Sequence, residues 1–293
     1  MNFVILDLEW DNSYFSNNGT ALNEIIEFGA VKTDEELNII DEFSVLVKPK
    51  ISKFVSKRTK KLTHLTSKIL RSEGVPYPQA LESFKEFLRD SVLLTWSTSD
   101  IIALMDNHKF YFGTGRLDYL NGYINAQTYC EKMMGCYDPA KQMGLSAAAE
   151  KLGIQTDNME LHRALDDSKL TLSCLQKVYN REKIPEFIQD ASQDEFYKKL
   201  LFKPSYITDI NNPLVDKSKM KFNCPNCGKR AVRKTAWQSK GRYFRATYKC
   251  NNCNCVFYGK VQYKIKYEGV DVKMSSVPIN ENNNNDNGVK ASE

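Results

Sequence analysis

The chain has 293 residues, 42% hydrophobic and 26% charged, with a formal net charge of +5. That length can bury one large core and carry a smaller module beside it. No stretch approaches the roughly 18 apolar residues of a membrane span, and "MNFVILDLEW" lacks the basic start and long apolar run of a secretory signal, so an intracellular, cytoplasmic protein is expected.

In chain order, the apolar run at residues 3–8 predicts a strand buried on both faces. Two further strands are expected at 24–34 and 42–49, joined by the polar turn "DEELN". The segment "ISKFVSKRTKKLTHLT" is basic and irregular. Residues 78–90 form an amphipathic helix pattern with Pro78 in its first turn. "VLLTW" at 92–96 is a short buried strand, and "STSD" then supplies caps for a helix at about 100–107. Residues 125–135 and 145–153 read as helices ending at Gly. "HRALDDSKLTLSCLQKVYN", 162–180, opens another helix. Strands first and then a mixture with helices imply an α/β core. Residues 184–219 read as a connector, with some helix in "SQDEFYKKLLF". The Asn-rich tail, 278–293, has the composition of a disordered segment.

Asp7 and Glu9 stand at the end of the first strand. Residues two apart on a strand share a face, so both carboxylates point the same way. Two acids crowded at a buried strand end repel each other and lose hydration. Divalent cations relieve both costs, because hard cations take oxygen ligands. The plainer alternative is a pair of solvated acids. Asp100 follows the strand at 92–96 and opens a helix, where the dipole favours an anion; alone it is an ordinary first-turn acid. In "HRALDD" a helical wheel puts Asp166 on the polar arc with Lys169. Asp167 falls on the inward arc with Thr171, Cys174 and Val178, so Asp167 is the acid that needs a partner. His162 precedes that helix.

Asp7-x-Glu9, Asp100 and His162-x4-Asp167 together resemble the DEDDh class of 3′–5′ exonucleases, the DnaQ-like or RNase-T-like superfamily. "NEIIEFGAV", "LTHLT", "GLSAAAEKLGI" and "HRALDDSKLT" resemble its other motifs, and the likeness spans roughly residues 1–180. "LTWSTSD" resembles the Eri-type branch, whose members act on RNA; KapD-like proteins fall near it. His64, Asn125 and Ser99 depart from the residues usual at their positions, and none of them is a ligand or the base. The resemblance implies a ribonuclease-H-like fold, a mixed central sheet flanked by helices, over residues 1–183. It also implies two Mg²⁺ or Mn²⁺ ions held by Asp7, Glu9, Asp100 and Asp167, with His162 as general base. It would place the grip on the 3′ nucleotide at Trp10, just after Glu9, and at His64 and Leu65.

The other informative segment is independent of that likeness. Cys224-x2-Cys227 and Cys250-x2-Cys253 have zinc-ribbon spacing, which predicts a small β domain at 220–268 around one structural Zn²⁺. Cys255 is an alternative to Cys253 as the fourth ligand. Residues 217–267 hold 14 Lys and Arg and no Asp or Glu. Such asymmetry suggests a polyanionic partner. Cations interleaved with rings are the ingredients of single-strand binding, and Arg230, Arg233, Lys234, Trp237, Arg242, Tyr243 and Arg245 are the expected contacts. About half of the aromatics should instead form the ribbon's own core. The expected function is a metal-dependent 3′–5′ exonuclease on single-stranded nucleic acid, RNA favoured. The alternatives are a DNA 3′–5′ exonuclease and an inactive exonuclease fold that only binds nucleic acid.

Overall fold

The computed structural model describes residues 1–14, 21–139, 141–156 and 162–279. The chain divides into two units, Met1–Leu201 and Phe202–Glu293. The Asn-rich tail expected to be disordered lies outside the described residues, apart from Pro278 and Ile279.

The first unit opens with strands β1 (Phe3–Tyr14), β2 (Ala21–Thr33) and β3 (Ile39–Leu46). The turn between β2 and β3 is the expected polar one: the Asp34 carboxylate accepts from the Glu36 and Asn38 amides. Helices α1 (Lys57–Thr63), α2 (Ser67–Glu73) and α3 (Tyr77–Leu88) follow, then β4 (Val92–Thr95) and α4 (Thr98–Phe112). After β5 (Gly122–Asn125) come α5 (Ala126–Met133), α6 (Leu145–Lys151) and α7 (Ala164–Val178), and the unit closes with β6 (Gln189–Asp190) and α8 (Asp194–Leu201). Among the described residues these strands form one six-stranded mixed sheet in the order β3-β2-β1-β4-β5-β6.

β1 is central, antiparallel to β2 and parallel to β4. Its wholly apolar start follows from that position. Val4, Leu6 and Leu8 enter a core shared with α3, α4 and α8. Phe3 and Ile5 point the other way, into a core shared with α5, α6 and α7. Helices therefore cover both faces, as expected of an α/β sheet buried on two sides.

Two local expectations change, and one strand is added. The basic stretch read as irregular, residues 51–66, contains α1, capped by Ser56 on the Thr59 amide, and its last residue, Thr66, caps α2 through the Ile69 amide. Lysine-rich composition hid a helix too short to show a periodic apolar face. Helix α4 runs on to Phe112 and ends at Gly113 in the left-handed conformation. Four-residue β5 carries no alternation, and its place beside β4 defines it.

The second unit contains β7 (Ser205–Tyr206), β8 (Ala231–Arg233), β9 (Gln238–Lys240), β10 (Tyr243–Cys250), β11 (Val256–Lys266) and β12 (Gly269–Pro278). β10 alternates along its whole length and β11 as far as Lys264, and Phe244, Ala246, Tyr248, Phe257, Val261 and Tyr263 are buried in the core of this unit. At Gly259 a β-carbon would come within 2.9 Å of the Phe222 and Tyr248 rings, so glycine lets those rings lie on the sheet. β12 pairs with β11 along its whole length, which extends the sheet past the expected boundary at 268. The segment expected as a connector is shared between the units. Ala191, Phe196 and Tyr197 enter the first core; Ile207 and Val215 enter the second.

Candidate active site and cysteine cluster

Asp7 and Glu9 continue the β1 face that carries Phe3 and Ile5. Beyond Glu9 the β1–β2 ladder slips: Glu9 faces Glu27 but Trp10 faces Ile25, so Ile26 is a bulge. A bulge leaves a ladder group without its strand partner. Asn107 of α4 meets the need, accepting from the Ile25 amide at 3.2 Å and donating to the Asn23 and Ala103 carbonyls. Nothing in the local sequence marks Asn107 for this task.

Asp100 sits in the first turn of α4, 5% exposed, and accepts from the Leu8 amide at 3.2 Å. It therefore lies against β1 between the two strand acids. Asp167 is brought in by the start of α7. That helix can approach closely because β2 has Gly29 there: a β-carbon would fall 2.0 Å from the Leu165 nitrogen. The Ser168 hydroxyl donates to the Gly29 carbonyl at 2.8 Å. Glu27, 1% exposed, accepts from Arg163 at 2.7 Å and from the Ala164 amide at 3.4 Å. A buried carboxylate thus clamps the residue between His162 and the helix. His162 has positive φ, and its amide donates to Asp167 at 3.2 Å. One ligand atom each of Glu9, His162 and Asp167 lie within 4.8 Å of one another.

All five sequence-predicted residues, Asp7, Glu9, Asp100, His162 and Asp167, line one cavity of about 470 Å³. The electrostatics of that cavity are those of too many acids. Burial, then Asp100, Asp167 and Glu9, push the Asp7 carboxyl well above the usual carboxylate range. Burial and the neighbouring Asp167, Glu27 and Asp100 raise Glu9 to about 8, with Arg163 offsetting part of the effect. Asp100 rises to about 7, mainly through burial, against the hydrogen bond from Leu8. Asp167 is raised as well, first by burial, with His162 opposing. Four carboxyls that resist ionisation together form an oxygen-rich, electron-rich donor set, which fits hard divalent cations. Asp166 does not line the cavity.

The expected substrate contacts fare unevenly. Trp10 lines the cavity, but His64 and Leu65 do not. Helix α1 ends at Thr63, His64 turns the chain in a left-handed conformation, and Leu65 is 3% exposed in a core with Ile26, Val55 and Leu70. The face of α1 that does reach the cavity is Arg58, Thr59, Leu62 and Thr63. Asp11 holds it there, accepting from the Ser56 amide at 2.8 Å and the Thr59 hydroxyl at 2.7 Å. The basic composition of "SKRTKK" was the available signal for Arg58.

In the second unit, Cys224, Cys227, Cys250 and Cys253 bring their sulfurs within 4.8 Å of one another, the arrangement of a zinc ribbon. Cys224 and Cys253 are 3.5 Å apart, as are Cys227 and Cys250, far beyond a disulfide bond. Gly228, with positive φ, donates to the Cys224 carbonyl at 2.9 Å and closes the first knuckle; Asn254 supplies the positive φ in the second. Cys255 contributes its carbonyl to the Cys250 amide and stands outside the sulfur cluster, so Cys253 completes it. Amide hydrogen bonds, first from Cys253, lower the Cys250 thiol to about 6, the thiolate form that a metal takes.

The expected ribbon contacts separate. Arg230, Arg233 and Trp237 line a cavity of about 230 Å³ with Lys217, Lys221 and Tyr248. Trp237 packs 6.1 Å from Tyr248, so it is partly a core residue. Exposed Lys234 follows β8 and its amide donates to the Thr247 carbonyl at 2.7 Å. Tyr243 and Arg245 occupy the outward positions of β10, and Arg242 lies just before that strand.

A family model described as RNase_T, Exonuclease, matches residues 4–175. Among solved structures, a 3′-exonuclease in 3′-end-specific recognition of a histone mRNA stem-loop is similar at 23% identity, covering 64% of this chain and 84% of that one, with a TM-score of 0.52. A full-length 3′-exonuclease is similar at 24% identity, covering 60% and 80%, with a TM-score of 0.49. At 23% identity the first of these likenesses is one of fold. No curated protein matches the chain. Among the described residues, no helix is long and apolar enough to cross a membrane.

Proposed function

Because the chain belongs to the RNase_T exonuclease family, we propose that it shortens nucleic acid from the 3′ end by hydrolysis, with single-stranded RNA favoured over DNA. The observation that carries this is the convergence of Asp7, Glu9, Asp100 and Asp167 with His162 on one cavity. Those four acids would hold two Mg²⁺ or Mn²⁺ ions. Such ions, when bound, supply activation of water and neutralisation of charge on attacking and leaving oxygens. The chain's own residues do the rest. Glu27 fixes Arg163, and Arg163 fixes the entry of α7, so Asp167 and His162 hold their places. His162, at the exposed edge, takes the proton of the attacking water as general base. Trp10 and Leu62 offer apolar surface to the terminal nucleotide, and Arg58 is positioned for its phosphate.

The preference for RNA rests on the likeness of "LTWSTSD" to the Eri-type branch. In the second unit the four cysteines would hold one structural Zn²⁺, leaving no position open for catalysis. Its positive charge supports a role in holding the nucleic acid. The test is a matched pair of 5′-labelled RNA and DNA strands incubated with Mg²⁺. A ladder shortening from the 3′ end, faster on RNA, is expected. Faster decay of the DNA would support the trimming alternative. Binding without shortening of either would leave the inactive binding protein.

A further inference from the structure

The outward row of β10 is Tyr243, Arg245, Thr247 and Lys249, and that of β11 is Tyr258, Lys260, Gln262 and Lys264. Register places them side by side, with Arg245 opposite Lys260 and Thr247 opposite Tyr258. β7 adds Tyr206 opposite Lys264, and β12 adds Lys273 opposite Gln262. Buried residues alternate with these, so the row is one open sheet face backed by the core.

Three cations on this face meet rings, and Lys266, at the end of the β11 row, meets an acid, Asp271. The Arg245 guanidinium lies 4.3 Å from the Tyr258 ring centre, Lys260 lies 5.0 Å from Tyr243, and Lys264 lies 5.7 Å from Tyr206. Asp271, opposite Lys264, is engaged by Lys266 at 2.9 Å. Residues 217–267 contain no acid at all, so the charge of the β10 and β11 cations has no carboxylate of its own strands to balance it. A hollow of about 420 Å³ opens on the same face, lined by Tyr243, Lys260, Gln262, Lys273, Met274 and Ser275. It combines a ring wall, a cationic rim and amide and hydroxyl groups, the composition that suits a base with its phosphate.

We propose that this outward face is the single-strand platform of the second unit: Tyr206 and Tyr243 stack bases, Tyr258 carries the Arg245 guanidinium on which a further base stacks, and Lys260 and Lys264 engage the backbone. On binding, Lys260 exchanges a ring for a phosphate and uncovers Tyr243, and Lys264 together with Arg242, which lies 5.4 Å from the Tyr206 ring centre, does the same at Tyr206. Arg245 stays on Tyr258, and a base stacks on the guanidinium plane. The proposal rests on the nucleic-acid reading above and refines it. It moves the platform away from the hollow around Arg233 and Trp237. Tyr206, which lies in the segment that the sequence presented as a connector, becomes part of it.

The test is fluorescence-anisotropy binding of the full chain to labelled oligouridine, without added Mg²⁺ or Mn²⁺. The triple variant Tyr206→Ala/Tyr243→Ala/Tyr258→Ala should bind at least about tenfold more weakly, and the Phe triple should keep its affinity, because the rings remain. Zinc content and circular dichroism matching wild type will show that the unit stays folded. Lys260→Ala/Lys264→Ala should lower the log–log salt slope by about 1.4, roughly 0.7 per phosphate lost. An abasic strand of equal length should bind as weakly to wild type as the intact strand binds to the alanine triple. Unchanged binding by the alanine triple, equal affinity for the abasic strand, or loss confined to Arg230→Ala/Arg233→Ala would each overturn the proposal. Binding is read without turnover, so an absence of hydrolysis refutes the nuclease reading and leaves this surface standing.

Discussion

Replacing Glu9 by Gln should stabilise the metal-free protein while abolishing its hydrolysis. Its carboxyl is raised from 4.5 to about 8 in the folded chain, first by burial and then by Asp167, Glu27 and Asp100. The folded state therefore binds this proton more tightly than the unfolded state. Stability falls as pH rises from about 4.5 to about 8, and the loss is complete above that window. Asp7, Asp100 and Asp167 shift in the same direction and deepen the fall. Gln carries no proton to lose. At 1.36 kcal/mol per pH unit, its advantage over Glu has a ceiling of about 3 kcal/mol at pH 7 and less than about 1 kcal/mol at pH 5. Water in the cavity screens the charge, so the measured gain falls below that ceiling. For a unit of this size the ceiling corresponds to roughly 6–12 °C in melting temperature. Thermal melts of both proteins without divalent ions, at pH 5 and pH 7, measure it. Saturating Mn²⁺ should reverse the order at pH 7, because it binds the native acids of wild type. Equal melting temperatures at both pH values would refute the account of crowded, protonated carboxyls.

Four further outcomes follow. Asp167→Asn should remove hydrolysis and spare RNA binding, whereas Asp166→Asn should change the rate less than about twofold; single-turnover assays distinguish them, and equal loss would contradict the placement of Asp167 in the cavity. Glu27→Gln weakens the clamp on Arg163 and should lower the hydrolysis rate by about tenfold or more at saturating substrate, with little change in substrate affinity. Gly29→Ala forces α7 away from β2 and should cost about 1–3 kcal/mol or more in urea melts, together with activity. Cys224→Ser should remove zinc from the purified protein and unfold the second unit, which metal analysis and limited proteolysis will show; retained zinc would contradict the cluster.

Much of the candidate site could be read from the chain because its residue types recur at fixed spacing. Asp7 and Glu9 share a strand face by the two-residue period alone, and the helical wheel separated Asp167 from Asp166. The cysteine spacing gave the second cluster without any likeness to other chains. The structure added Cys253 over Cys255, because one loop sends its carbonyl, not its sulfur, inward. What escaped depends on tertiary approach. Asn107 serves a bulge that appears only once β2 slips on β1. Glu27 and Gly29 matter because α7 arrives from more than a hundred residues away. His64 and Leu65 were placed at the cavity by likeness, yet the end of α1 turns one outward and the other into a core. Tyr206 gained meaning only through its pairing with β11.

The central claim is that carboxylates from β1, α4 and α7 act together as a seat for divalent cations. Titration of Mn²⁺ into the zinc-loaded protein, followed by electron paramagnetic resonance of the free ion, examines it directly. Saturable uptake by wild type, accompanied by proton release at pH 7 and lost in Asp7→Asn, is the predicted result. Equal uptake by wild type and Asp7→Asn, or none by either at millimolar Mn²⁺, would contradict it.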